Sequence, residues 1–358
     1  MSTLTLDRVS KSFGKAQVLR SVSFECKNGE FVAIVGPSGS GKTVTLNCIA
    51  GFEYPELGSI YFDDQDVTML RPEERNVAMV FESYALYPHF TVHDNLAFPL
   101  RSPRYRLPGD EIESRVERVA KMLGVENLLG RFPRQLSQGQ RQRVSLGRAL
   151  VREPRMFLFD EPISHLDAKL RNAMRRELKR MRASMQQTSV YVTHDYLEAL
   201  SLADRVVVIN KGDVVQFAPS KEVYDHPGAV EVGQLFGSPT MMFFDGKIGE
   251  GYCFAPDGAN FRLDTHGTDS QLATGQEVIL GLRASDLAVC EPANGHVQGE
   301  VYSVQNQFDR QLITVKSNGC LIDILTTENI SIAEGDKVGV RIPVEVCHYF
   351  DKTTHRAL

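Results

Sequence analysis

Hydrophobic and polar positions change rhythm several times along the chain, and each change predicts an element. Leu4, Leu6 and Val9, then Val18, Val22 and Phe24, alternate with polar residues as far as Asn28-Gly29, which predicts two antiparallel strands and a hairpin. Phe31 to Val35 is an unbroken apolar run and Val44 to Gly51 is periodic, so a strand and a helix flank the glycine-rich stretch between them. Arg75 to Glu82 alternates like a strand, and from about 88 to 154 the pattern is helical. Asp110 with Glu113 predicts a capping box ahead of Ile112, Val116, Val119 and Leu123. Met156 to Phe159 lacks alternation, as a buried strand of a parallel sheet does, and Ser189 to Thr193 is another short strand. Between them Leu166-Asp167 caps a helix on which Leu170, Met174 and Leu178 recur at helical intervals. Arg205 to Asn210 and Val214 to Phe217, around Lys211-Gly212-Asp213, predict a hairpin. After about Leu235 the break Gly237-Ser238-Pro239 introduces short alternating segments: Val278 to Leu282, Val297 to Val304, Leu312 to Val315, Cys320 to Leu325 and Val338 to Val346. These predict a small all-β domain, a barrel or sandwich.

Composition narrows the class. At 358 residues two domains are expected. A net charge of −5 implies no general affinity for nucleic acid. The basic face of the helix after Asp167 (Arg171, Arg175, Arg176, Lys179, Arg180 and Arg182) therefore reads as a solvated face. Six cysteines, at 26, 48, 253, 290, 320 and 347, lack metal-like spacing and fit the reduced thiols of a cytosolic protein. No stretch has the basic start and apolar middle of a signal peptide, and nowhere do eighteen apolar residues run together, so the chain is not expected to cross or enter a membrane by itself.

The glycine-rich stretch Gly36-Pro37-Ser38-Gly39-Ser40-Gly41-Lys42-Thr43 carries the chemistry. Between a strand and a helix, such a turn curls successive N–H groups inward at an anion, and the helix adds its positive end. Lys42 can reach the β- and γ-phosphates of a nucleotide, and the Thr43 hydroxyl suits Mg²⁺. A dinucleotide site is excluded because G-x-G-x-x-G is absent here. Asp160, at the carboxyl end of an apolar run, can hold Mg²⁺; Glu161, expected to point the opposite way along the strand, is free to act as base for water. His194 stands at another strand end beside Asp195, where it can contact the γ-phosphate. Phe13 sits in the first hairpin turn, either buried in the core or stacked on the adenine ring. Ser137 is placed to cap the helix bearing Val144, Leu146 and Leu150.

Taken in order, GPSGSGKT, FESYALYPH, LSQGQRQRV, MFLFDEP, ISHLDAKLR and VTHD resemble the ATPase subunit of an ATP-binding cassette transporter over residues 1–235. The continuation LFGSPTMMFF and the β-rich tail are similar to the carbohydrate-uptake, maltose-importer-like branch, in which the tail is regulatory. The resemblance implies an α/β P-loop NTPase fold: a RecA-like core, an antiparallel β subdomain, a helical insert and a small all-β (OB/TOBE-like) domain over 236–358. It implies ATP and Mg²⁺ as ligands, with Lys42 and Thr43 at the phosphates and metal, Asp160 and Glu82 at the metal, Glu161 as general base and His194 as switch histidine. Ser137, Gln138, Gly139 and Gln140 become the signature that touches ATP on the opposite subunit, and Asp167 bridges subunits. Two permease subunits, a solute-binding protein and a second ATPase subunit, identical or not, are the implied partners, on the cytoplasmic face of the membrane. The segment Tyr84 to Phe98 either packs into the core or docks the permeases. The family normally has Gln at 82 and Gly at 138. A carboxylate at 82 adds negative charge near the γ-phosphate, and Gln138 is expected to strain a backbone suited to glycine. Other importers (iron, sulfate, polyamine), a non-transport ATPase of the superfamily and a regulatory interaction protein are the alternatives.

Overall fold

The structure is a computed structural model that describes residues 2–81, 85–103, 107–164, 166–185, 187–249, 254–256 and 272–358. It divides into two compact units, Met1–Ser220 and Lys221–Leu358. The first unit opens with β1 (Leu4–Phe13), β2 (Ala16–Cys26), β3 (Phe31–Val35), α1 (Lys42–Ala50), β4 (Leu57–Phe62), β5 (Gln65–Asp66), α2 (Pro72–Arg75) and β6 (Val77–Val80). The insert holds α3 (Val92–Ala97), α4 (Gly109–Leu123) and α5 (Gln138–Leu150). The unit closes with β7 (Met156–Asp160), α6 (Ala168–Met185), β8 (Ser189–Thr193), α7 (Tyr196–Leu202), β9 (Arg205–Asn210) and β10 (Asp213–Pro219).

Two sheets face one core. The antiparallel sheet is ordered β2-β1-β4-β5, and the six-stranded sheet β10-β9-β3-β8-β7-β6 is parallel except for β10. Strands β3, β7 and β8 are buried along their whole length, which is why they read as apolar runs without alternation. Leu46 and Ile49 of α1 pack with Leu4 and Leu6 of one sheet and with Ile34 and Val192 of the other. The helix that begins at Lys42 is thereby fixed on both sides.

Its far end is fixed by a residue that the alternation placed in a strand. Arg75 instead ends α2, and Asn76 turns the chain through a left-handed conformation before β6 begins at Val77. The fully buried Arg75 guanidinium donates to Cys48 O, Ile49 O, Thr68 O and Leu70 O. Cys48 O and Ile49 O belong to the last turn of α1, where intrahelical donors run out; Cys48 O also accepts from Gly51 N–H at 3.3 Å. The capping box expected at Asp110 is also absent. Pro108 precedes α4 without a side-chain cap, Asp110 lies in the first turn, and Glu113 instead meets His93 Nε2 at 2.8 Å.

The second unit holds α8 (Ser220–Asp225, from the unit boundary), α9 (Val230–Leu235), β11 (Met242–Ile248), β12 (Phe254–Pro256), β13 (Glu277–Leu282), β14 (Ala288–Cys290), β15 (Val297–Gln307), β16 (Arg310–Ser317), β17 (Cys320–Thr326), β18 (Lys337–Arg341) and β19 (His348–Asp351). Antiparallel sheets β12-β11-β13-β19 and β14-β18-β15-β16-β17 contribute Leu280, Val301, Ile313, Ile322 and Val340 to one core. The units divide earlier than Gly237-Ser238-Pro239 because the two short helices are tied to these strands. Arg283 donates to Tyr224 O and Phe236 O, and Ala229 bridges to Arg356. The strand expected over Val338 to Val346 ends at Arg341, since Pro343 has no N–H for a ladder. Cys26, Cys48, Cys290, Cys320 and Cys347 are free thiols, and Cys253 lies outside the described residues. No helix among the described residues is long and apolar enough to cross a membrane.

His348 gives this unit a pH dependence. Burial, with Arg283 and His226 nearby, pushes its imidazole down from 6.5 to about 4 despite Asp225. The unfolded chain therefore takes up a proton that the folded chain refuses, and stability present above pH 6.5 is lost as pH falls towards 4. The loss amounts to about 3 kcal/mol. Protection factors of the β13 and β19 amides in the full chain, with exchange corrected for its intrinsic slowing in acid, should fall over that range. The same measurement on His348→Gln should lack this part of the slope, and equal slopes would refute the assignment.

Candidate active site

The glycine stretch lies between β3 and α1, at the carboxyl end of the central parallel strand. Gly39 and Gly41 hold φ of +75° and +106°, the left-handed values that turn backbone N–H groups towards one point. Lys42, the first residue of α1, is buried, and its Nζ donates to Gly36 O at 3.0 Å and Pro37 O at 2.9 Å. Burial pushes its ammonium down, while the carboxylates of Glu161 and Asp160 support the charge. Ser40 Oγ is buried inside the loop with no hydrogen-bond partner. Pro37, Ser38 and Gly39 form the exposed rim.

Thr43 Oγ1 donates to Asp160 Oδ1 at 3.1 Å, so two oxygens of the kind that hold a hard cation stand together at the start of α1 and the end of β7. Glu161 does leave the direction of Asp160, but for a different reason from strand alternation. β7 ends at Asp160, and Glu161 takes φ of +44° while its N–H donates to Val192 O. That turn brings Glu161 Oε2 within 2.8 Å of His194 Nδ1, a hydrogen bond that puts the ring proton on Nδ1. Sequence reading placed both residues at strand ends and did not foresee their contact.

Ser137 caps α5 as expected: Gln140 N–H donates to Ser137 Oγ, and Gln140 Oε1 accepts from Ser137 N–H. Gln138 is not strained. It is the first residue of α5, with no left-handed φ, because the helix has already begun there. The close approach falls one residue later, where a Cβ on Gly139 would lie 2.1 Å from Leu170 Cδ2. Asp167 Oδ1 accepts from Leu170 N–H at 2.9 Å and so caps α6. Phe13 is not a core residue, for it is 47% exposed with Lys11 Nζ over its ring. Glu82 and Tyr84 lie outside the described residues.

Further positions escaped the sequence reading. Glu198 is buried under the His194 turn, where it accepts from Tyr191 OH and Thr193 Oγ1 at 2.8 Å each, and burial pushes its carboxyl up. Nothing in the sequence marks it out from the polar positions of an ordinary amphipathic helix. Arg171, Arg175 and Arg182, expected in solvent, turn to Asp195, Asp204 and backbone carbonyls instead, leaving Arg176, Lys179 and Arg180 exposed. Beside the insert, an open cavity of about 410 Å³ is lined by Phe52, Met79, Phe81, Tyr87, Phe98 and Arg148. Tyr87 and Phe98 are partly exposed, their rings 4.8 Å apart and tilted by 59°, so neither is a core residue.

The sequence matches known proteins along the whole chain, and the fold matches a solved one over 61% of it. A family model described as ABC transporter matches residues 19–164. The chain is 42% identical to a trehalose/maltose import ATP-binding protein of Thermococcus litoralis, covering 100% of both. The chain belongs to the ABC transporter ATP-binding family. It is 39% identical to a xylose/arabinose import ATP-binding protein of Haloferax volcanii, over 100% of this chain and 96% of that one. A dimeric ATP-binding cassette solved in a post-hydrolysis state with ADP and Pi is 32% identical, with a TM-score of 0.55, over 61% of this chain and 98% of that one. The P-loop fold expected from the sequence is thus the fold of a solved cassette. Like other members of the ABC family, the chain binds and hydrolyses ATP.

Proposed function

We propose that this chain energises uptake of a sugar or polyol by hydrolysing Mg²⁺-ATP at a site completed by a second cassette. One observation carries the mechanism: the hydrogen-bonded pair Glu161–His194 stands beside a glycine loop whose lysine and threonine face Asp160. The loop fits a triphosphate, since the buried and unpartnered Ser40 Oγ, the turned amides and Lys42 all supply donors to one anion. Thr43 Oγ1 and Asp160 Oδ1 would hold Mg²⁺, which would supply positive charge to the phosphates when bound. Glu161 takes a proton from water as the water oxygen bonds to the γ-phosphorus and the bond to the bridging oxygen breaks, so ADP leaves with the electron pair. His194 holds that carboxylate through Nδ1. That bond leaves Nε2, the other ring nitrogen, for the γ-phosphate.

The dimer completes the charge stabilisation. Ser137 and the start of α5 are exposed, and a helix start carrying a hydroxyl is what a γ-phosphate accepts from across an interface. Asp167 meets the opposite cassette. In each cassette the aromatic cavity of Phe52, Tyr87 and Phe98 receives one cytosolic helix of a permease subunit, two permease subunits in all, and the chain works at the cytoplasmic face of the membrane. Sugar and polyol cargo, with a solute-binding protein to deliver it, is supported by full-length likeness to import proteins for trehalose/maltose and for xylose/arabinose. The test is ATP turnover in vesicles containing the permease subunits, screened with sugars and polyols on their binding protein. Stimulation by a sugar or polyol is expected, and stimulation by iron, sulfate or polyamines alone would overturn the cargo class.

A further inference from the structure

Around the catalytic pair a ring of contacts closes through a residue that the mechanism above does not use. Arg171, one turn into α6, donates through Nη2 to Ser164 O at 3.1 Å and Leu166 O at 2.9 Å. Those carbonyls belong to the segment leading to Asp167, whose own carbonyl accepts from Arg171 N–H. On the other side Arg171 Nη1 lies 4.0 Å from Asp195 Oδ2, and Arg175 Nη2 lies 3.5 Å from the same oxygen. Asp195 follows His194 directly and accepts from Leu197 and Glu198 N–H groups at the start of α7. Asp195 N–H in turn donates to Thr193 Oγ1, so both neighbours of His194 are fixed. The ring closes at Glu161, whose carboxylate holds His194 and whose carbonyl accepts from Ser164 N–H and Oγ.

From this we propose that Arg171 is a positioning residue that ties the Asp167 segment to the His194 turn. Docking of Asp167 against a second cassette thereby sets the Glu161–His194 pair. The inference rests on the proposed roles of Glu161 and His194 in catalysis and of Asp167 at the dimer contact. A guanidinium suits the task because its planar fork serves two carbonyls and a carboxylate at once, whereas an ammonium is a single point charge. All three side chains are mostly sheltered, so the ion pairs are less screened than exposed ones. The linkage explains why turnover waits for dimer closure: without docking, nothing external fixes the Asp167 segment, and the base is held only by its own side of the ring.

The test uses the full chain with Mg²⁺-ATP and reads nucleotide affinity, ATP-driven dimerisation and single-turnover rate separately. Arg171→Met is expected to leave affinity within about 2-fold and to lower the single-turnover rate about 5–150-fold, the span of an ordinary coupling between sites. Arg171→Lys should recover little of it. Asp195→Asn keeps the helix cap but loses the charge, and should reproduce the loss even if Arg171→Met folds poorly. The double variant should be no slower than the slower single one, because both cut the same ring. Unchanged rates in Arg171→Met and Asp195→Asn, or losses that multiply in the double variant, would overturn the linkage and leave the catalytic roles standing. A wild-type chain that bound ATP without ever turning it over would overturn those roles and the linkage together.

Discussion

A Glu161→Gln chain is expected to bind ATP, to accumulate as the ATP-bound dimer, and to turn over about 10²–10⁴-fold more slowly than wild type, the usual contribution of a positioned base. The amide is nearly isosteric, and its oxygen can still accept from His194 Nδ1, so the geometry of the turn survives. What disappears is a group able to take a proton. Binding is retained for an electrostatic reason. Glu161 is one of two carboxylates supporting the Lys42 charge, and Asp160 remains, while one negative charge near the γ-phosphate is removed. Affinity should therefore hold or rise. Sedimentation with and without Mg²⁺-ATP checks the dimer, and single-turnover release of phosphate checks the rate. Turnover within about 10-fold of wild type would show that another group takes the proton.

Gly36→Ala is expected to cost both stability and chemistry. A Cβ there would stand 2.0 Å from the backbone oxygen of Ile209 and 2.6 Å from Ser40 Oγ. The first of these is part of β9, paired with β3 at the middle of the sheet, and cannot swing aside as a side-chain tip can. The glycine loop must therefore lift away from the strand, carrying Ser40 and Lys42 with it. Overpacking of this kind costs about 1–3 kcal/mol. A loop displaced by an ångström costs about 100-fold in kcat/KM. Urea denaturation with and without nucleotide separates the two effects, since a displaced loop also forfeits the stabilisation by bound ATP. A variant with wild-type kcat/KM would mean that β9 yields more easily than a sheet interior should.

Where one residue type serves one physical demand, the sequence was readable. The glycines, lysine and threonine of the loop have few substitutes for a backbone anion cradle, and strands buried on both faces cannot hide their unbroken apolar runs. The caps at Ser137 and Asp167 were readable because their partners are three residues away. Readability failed where a polar residue answers to a distant partner. Arg75 looks like any surface arginine until the end of α1 is brought to it, and Glu113 forgoes a local cap because His93, from another helix, is there to meet it. Glu161 shows the subtler case, in which the right residue was found by the wrong geometry. A left-handed turn after the strand aims it, and no pattern of hydrophobicity records that turn. The Arg171 ring was illegible for the same reason, as its members come from three elements joined only in the folded unit.

The strand order of the central sheet also governs when this unit can be completed on the ribosome. Phe31 of β3 pairs with Ser189 of β8, and Val32 with Arg205 of β9, so the strand that launches the glycine loop waits for both its neighbours. At about 5–20 residues per second the intervening stretch takes roughly 10–30 s to emerge. The β1–β2 hairpin, by contrast, can form as soon as it is made. A nascent chain should accordingly stay protease-sensitive at β3 and unable to retain nucleotide until β9 has left the exit tunnel, which makes late translation the period of greatest exposure to aggregation.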